Sequence, residues 1–185
     1  MIIQKELQNI AADLKIQPAV LDKDWVLGHF LNAMFEIESV RNNFVFKGGT
    51  CLRKCYFEEY RYSEDLDFTL TNANFIINEI VSEKLRSLMQ RNRSRDIYDL
   101  YFLSNIIDDT EYPVIYKLLL QKSSAKDIDC SSPECFVNPI KKKKNKRAWD
   151  SSLGYQLPLG QLIDFEKAYT QVSEFVKLII KQKTL

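Results

Sequence analysis

Histidine is nearly missing from this chain: His29 is the only one among 185 residues, beside four cysteines. Zinc sites draw on Cys and His at short, regular spacings. Cys51 and Cys55 are four apart in an expected helix, and Cys130 and Cys135 sit in a polar stretch, so no zinc pattern forms and reduced thiols are expected. A surplus of charge is missing too. There are 26 Lys and Arg against 25 Asp and Glu, a formal net charge of +1. A chain so balanced has no strong field of its own, and any attraction to nucleic acid must come from a local patch. No apolar run approaches the roughly 20 residues that span a bilayer. The start, MIIQKELQNIAADLKI, interrupts its apolar residues with charges, unlike a signal-peptide core. The expectation is a cytoplasmic protein with no membrane partner. No internal repeat is present.

What is there is the composition of a folded protein, 45% hydrophobic and 28% charged. The length suits one well-cored domain or two small ones, burying roughly 70% of the extended-chain surface. Apolar spacing predicts a first helix over 5–15 and, after a break at Gln17-Pro18 and a cap at Asp22, a second from Lys23 to about Val40. Trp25, Val26, His29, Phe30, Ala33, Met34 and Ile37 form its stripe, which makes His29 a core-edge residue. The period then changes. Residues 43–47 read as a strand ending at Gly48-Gly49, residues 50–57 as a short helix, and residues 64–70 as an alternating strand with Asp65, Asp67 and Thr69 on one face. Helical patterns follow over 76–89, 91–107, 114–121 and 162–181, and the stretch 123–147 reads as a loop. The division expected is an α/β core over 1–75 and a helical part over 76–185.

Two carboxylates at i and i+2 on a strand face one way and can share a hard cation such as Mg²⁺ or Mn²⁺, water and phosphate oxygens filling its other positions. Alone the pattern means little. Here it follows a strand that ends in two glycines and a hydroxyl residue at a helix start, which lets the backbone approach an anion closely. Gly48, Gly49 and Thr50 would then touch the β and γ phosphates of a nucleoside triphosphate, with Asp65 and Asp67 on the metal. The competing reading of the same residues is a Gly-Gly turn beside an exposed acidic strand edge.

The run from Phe46 to Lys54, FKGGTCLRK, followed by RYSEDLDF from Arg61 to Phe68, resembles the two signature motifs of the AbiEii/AbiGii toxin family of nucleotidyltransferases. The likeness extends to Asp22-Lys23-Asp24 before the glycine motif. It also includes EKLRSLMQR from Glu83 to Arg91, RDIYDL from Arg95 to Leu100, and Arg147-Ala148-Trp149 near the end. It implies an α+β nucleotidyltransferase-like fold with a small, incomplete mixed sheet and a helical C-terminal part. It implies catalytic roles for Asp65, Asp67, Lys84 and Asp96, with Asp65 and Asp67 also the metal ligands. Nucleotide binding would fall to Lys47, Gly48, Gly49, Thr50, Ser63 and Arg91. The reaction implied is transfer of a nucleotidyl group from an NTP to a hydroxyl of RNA such as tRNA, or of a protein, by the toxin of a toxin–antitoxin or phage-defence pair with a cognate antitoxin.

Read from spacing alone, Lys84 and Arg91 share a helix face opposed to the apolar one. Arg95 and Asp99 can form a surface ion pair, Asp96 is either a surface acid or a functional one, and Tyr98, Tyr101 and Phe102 serve interdomain packing. The chain also departs from the family. Only Thr69–Ser82 separates the aspartates from the Glu-Lys-Leu-Arg motif, no strand with an inward acid fits there, and Glu79 belongs to a helix. The alternative is therefore a degenerate nucleotide- or partner-binding protein that keeps the fold. A sheet so small needs covering by helices or by another copy in a homo-oligomer. Six of the seven positions 141–147 are Lys or Arg, read either as a solvated linker or as a contact for an RNA backbone.

Overall fold

The strand-forming run Phe44–Lys47 (β1) and the segment Asp67–Leu70 (β2) pair antiparallel, with Phe44 opposite Leu70, Val45 opposite Thr69, Phe46 opposite Phe68 and Lys47 opposite Asp67. The computed structural model describes residues 4–70, 76–91, 93–158 and 160–184. Among them the sheet has these two strands, so it is antiparallel rather than mixed. A ribbon this short is marginal alone. Side-chain alternation puts Phe44, Phe46 and Phe68 together, the Phe68 ring 5.4 Å from Phe46 and 6.1 Å from Phe44, and Phe35 from an earlier helix approaches the Phe68 ring at 6.2 Å.

That helix, α2 (Pro18–Glu36), follows α1 (Gln4–Leu14). Proline opens α2 rather than preceding it, since a first-turn residue needs no amide hydrogen and the ring already holds a helical φ. Asp22 is therefore inside the helix and caps nothing. The chain leaves α2 at Ile37 and re-enters a helix at once as α3 (Glu38–Asn43). The expected apolar stripe is not a buried one: Val26, Phe30 and Ile37 are each about half exposed, and His29 is exposed with its ring 4.2 Å from that of Trp25. The buried contacts of α2 are made by Leu31 and by Asp24, whose carboxylate meets Lys54 at 2.6 Å and Arg53 at 3.5 Å.

The chain divides into two compact units, one of residues 1–76 with 153–162, the other of 77–152 with 163–185. The first holds α1 to α3, the ribbon, and a helix that opens on the glycines themselves, α4 (Gly48–Cys51), running into a π-helical turn, Leu52–Tyr56. Residues 153–162 are tied to this unit by the Tyr62 amide, which donates to the Gln156 carbonyl at 2.7 Å.

The second unit is helical. Its parts are α5 (Ile76–Gln90), α6 (Ser94–Leu103), α7 (Tyr112–Ser124), α8 (Pro139–Leu153, through Ser152 in this unit) and α9 (Phe165–Ile180). The last helix buries Phe165, Ala168, Tyr169, Val172, Phe175, Val176 and Ile179, a three-and-four spacing that faces α6 and α7. Asp164 caps it by accepting from the Lys167 amide at 2.8 Å. Trp149 is buried with its indole N–H donating to the Ile163 carbonyl at 2.9 Å and its ring 5.3 Å from Phe165. Tyr98 packs inside this same unit, against Phe102 and Trp149.

The lysine run is helical, not a loop. Asn138 accepts from the Lys141 amide at 2.9 Å and Pro139 stands in the first turn, so the residues that look like loop punctuation are the start of α8. Among the described residues no helix is long and apolar enough to cross a membrane.

Candidate active site

The glycine motif and the aspartate motif meet at one backbone notch. Gly48 follows the extended residue Lys47 and has φ of +81°, a conformation that L side chains rarely adopt. A Cβ placed on it would lie 2.0 Å from Oδ2 of Asp67. The carboxylate of the second motif thus occupies the space that a side chain on the first would need. Gly49 is equally hemmed in: a Cβ there would come within 2.7 Å of Ser63 Oγ and 2.9 Å of Arg61 Nη2. Lys47 sits opposite Asp67 in the strand register.

Thr50 is fully buried, and its hydroxyl donates to the Asp65 carbonyl at 2.6 Å. That bond explains why Asp65 is not on the strand, where its spacing placed it. β1 ends at the glycine turn, so residues 64–66 have no strand to pair with. The backbone there is held instead by the Thr50 hydroxyl and, upstream, by Gln156. Asp65 and Asp67 are both exposed, their side chains open to solvent.

Arg61 is the residue that spacing missed. The residue is 2% exposed, and its guanidinium lies against Gly49 and donates to the Tyr62 carbonyl and to Gln156 Oε1, each at 3.3 Å. The signal for it was an arginine between two tyrosines, Tyr60 and Tyr62, both buried. Arg53 stacks on the Tyr62 ring at 3.7 Å and donates to the Tyr60 carbonyl, which fixes the same loop from the other side.

The second unit carries a separate cluster. Lys84 is 8% exposed, and its ammonium lies 2.7 Å from Asp99 and 3.7 Å from Asp96. Arg91 grips Asp96 with two bonds, Nε to Oδ2 and Nη2 to Oδ1, both 3.2 Å. Burial disfavours the charge on Arg91, but the hydrogen bonds and charge of Asp96, helped by Glu83 and Asp99, outweigh it and hold its pKa above the ordinary value. Lys84 therefore does not sit on a solvent face. Nor is Asp99 a surface acid, since it and Asp96 are completely buried on α6. The Lys84 ammonium and the Arg91 guanidinium thus face the two buried carboxylates, which offsets the cost of burying them. Glu79 is engaged elsewhere, 2.5 Å from Lys122.

Among the described residues no group of three or more His, Cys, Asp and Glu is arranged to hold a metal ion. Residues 71–75, part of the short link in which no acidic strand fits the sequence, lie outside the described residues. The sequence matches a model of the family described as "Nucleotidyl transferase AbiEii toxin, Type IV TA system" over residues 29–80 and 75–171. The chain belongs to the AbiEii family. The two matched segments overlap at 75–80, between Asp67 and Lys84. No curated protein and no solved structure matches the chain. Membership carries nucleotidyltransferase activity of the toxin type in general and an NTP as substrate.

Proposed function

We propose that this AbiEii protein transfers a nucleotidyl group from an NTP to a hydroxyl acceptor, an RNA such as tRNA or a protein side chain, with the notch at Gly48 and Asp67 as the catalytic centre. The observation that carries the proposal is the 2.0 Å approach of the Asp67 carboxylate to the position a Gly48 side chain would take. It makes one surface of two motifs that chemistry needs together. Gly48 and Gly49 leave the backbone bare for a triphosphate. Lys47 and Ser63 flank it, and Thr50 holds the Asp65 loop in register with Asp67.

Asp65 and Asp67 fit Mg²⁺ or Mn²⁺ in kind: such ions take one or two carboxylates and fill the remaining positions from water and substrate phosphates. When bound, the ion would offset charge on the reacting phosphates. Lys84, held by Asp99 and Asp96, and Arg91 are assigned to the same activity on the family's pattern. Their buried pairing supports a fixed ammonium rather than a mobile one.

Incubation with NTPs labelled at either the α or the γ phosphate, with Mg²⁺ and total RNA, tests the proposal. Label from the α position alone should enter RNA or protein, with release of pyrophosphate. Transfer of the γ label would make the protein a phosphoryl-transfer enzyme. Nucleotide binding by calorimetry without any transfer would favour the degenerate binding protein.

A further inference from the structure

The lysine run of α8 is divided by the helix into three sets, and two are accounted for by the fold. Lys141 turns inward, its ammonium donating to the carbonyls of Leu88 at 3.4 Å, Met89 at 3.2 Å and Cys135, so that it closes the C-terminal end of α5. Lys142 and Lys146 both pair with Glu166 at 2.6 Å. Lys143, Lys144 and Arg147 are exposed, and among the described residues none has an acidic partner. They lie with Ile140, Ala148 and Ser151 along one open groove of about 600 Å³. These six positions share one helix face.

Nothing in the stability of α8 calls for those cations. Basic residues help a helix in its last turn, and Lys143 and Lys144 stand in the N-terminal half and Arg147 just past the middle, with no acid in the first turn. Ile140, at 83% exposure, is the one large apolar side chain on the face. An acidic peptide docking on a helix would want a wider apolar seam, whereas a phosphodiester chain needs point charges in a row. We propose that this face of α8, Lys143, Lys144 and Arg147 along the groove beside Ile140, binds the phosphate backbone of a nucleic acid. Phosphate contacts of this kind position a strand without reading its bases. The nearest acid on the helix, the exposed Asp150, borders the Lys143 side and limits the face there. The inference stands apart from the transfer reading, because it concerns binding and holds whether or not a nucleotide is transferred.

The test is fluorescence anisotropy of the full chain with a labelled single-stranded RNA of about 20 nucleotides, titrated between about 50 and 200 mM salt. The variant is Lys143→Gln/Lys144→Gln/Arg147→Gln, checked for an unchanged circular dichroism spectrum and melting temperature. The control is Lys117→Gln/Lys126→Gln/Lys177→Gln, which removes equal charge from exposed positions elsewhere in the same unit. The α8 variant should lose about tenfold or more in affinity at low salt, and its log–log salt slope should be shallower by about 2, from three contacts at about 0.7 each. The control should keep most of both. Equal loss in variant and control, no RNA binding by the wild type at low salt, or tighter binding of a polyglutamate of matched charge would each overturn the proposal.

Discussion

Gly48 carries two constraints at one position, a left-handed backbone and a carboxylate in the place of its side chain. Gly48→Ala should therefore cost about 1–2 kcal/mol for the backbone alone, and it must also displace Asp67. Urea unfolding and NTP calorimetry on the same variant check this; unchanged stability with unchanged nucleotide affinity would show that the notch tolerates a side chain. In the other unit, Lys84→Met takes away the ammonium 2.7 Å from the buried Asp99 while Asp96 keeps its two bonds from Arg91, and breaking a buried pair from one side costs about 3–5 kcal/mol. Adding Asp99→Asn should recover part of that loss in denaturant titration, because the buried charge that lost its ammonium is then removed. An additive further loss would count against direct coupling. The sequence made the meeting of Gly48 and Asp67 legible because two glycines after a strand are followed by paired acids, an ordered combination that is scarcer than either part alone. Arg61 and Asp99 were hidden, since whether a charged residue is on the surface or buried depends on partners that spacing does not reveal.

At the scale of elements, α8 shows how the same residues read differently once a helix forms. Asn138-Pro139 is a turn signal in a chain of unknown structure and a helix start in this one. The lysines that suggested a linker are compatible with a helix, in which Lys is a good former. Lys141→Met should cost about 1–2 kcal/mol by uncapping α5, since its ammonium is the partner of two carbonyls there, Leu88 and Met89, and of the Cys135 carbonyl. A melting temperature equal to wild type would contradict that role. Glu166, bonded by Lys142 and Lys146, has its carboxyl pKa held below the ordinary glutamate value. A carboxylate so lowered stabilises the fold above its unfolded pKa, and the contribution disappears as pH falls through the folded value. Glu166→Gln should therefore narrow the difference in melting temperature between neutral and acid pH; an identical pH profile would show that this exposed pair adds nothing. The strand expected over 64–70 shrank for a different reason. Alternation describes a side-chain pattern, but a strand also needs a neighbour, and β1 offers only four residues. The helix start at Pro18 and the exposed side of α2 follow the same lesson: apolar spacing defines a stripe but not what covers it.

For the whole molecule, the change from period two to helical period after Leu70 announced the small ribbon followed by helices, and both are present. The return of residues 153–162 to the first unit was not legible, because it rests on single contacts such as the Tyr62 amide to the Gln156 carbonyl. The proposed chemistry rests on the ribbon's turn. The most direct measurement of it is transfer of α-labelled nucleotide by the wild type beside Asp65→Asn and Asp67→Asn, each shown by circular dichroism to be folded. Both carboxylates are exposed, so neutralising them should leave the fold in place. Mg²⁺-dependent labelling by the wild type and a loss of at least about a hundredfold in both variants, the scale of removing a principal electrostatic group, is the expected result. Labelling that persists at wild-type level in Asp67→Asn would contradict the assignment of the notch as the catalytic centre.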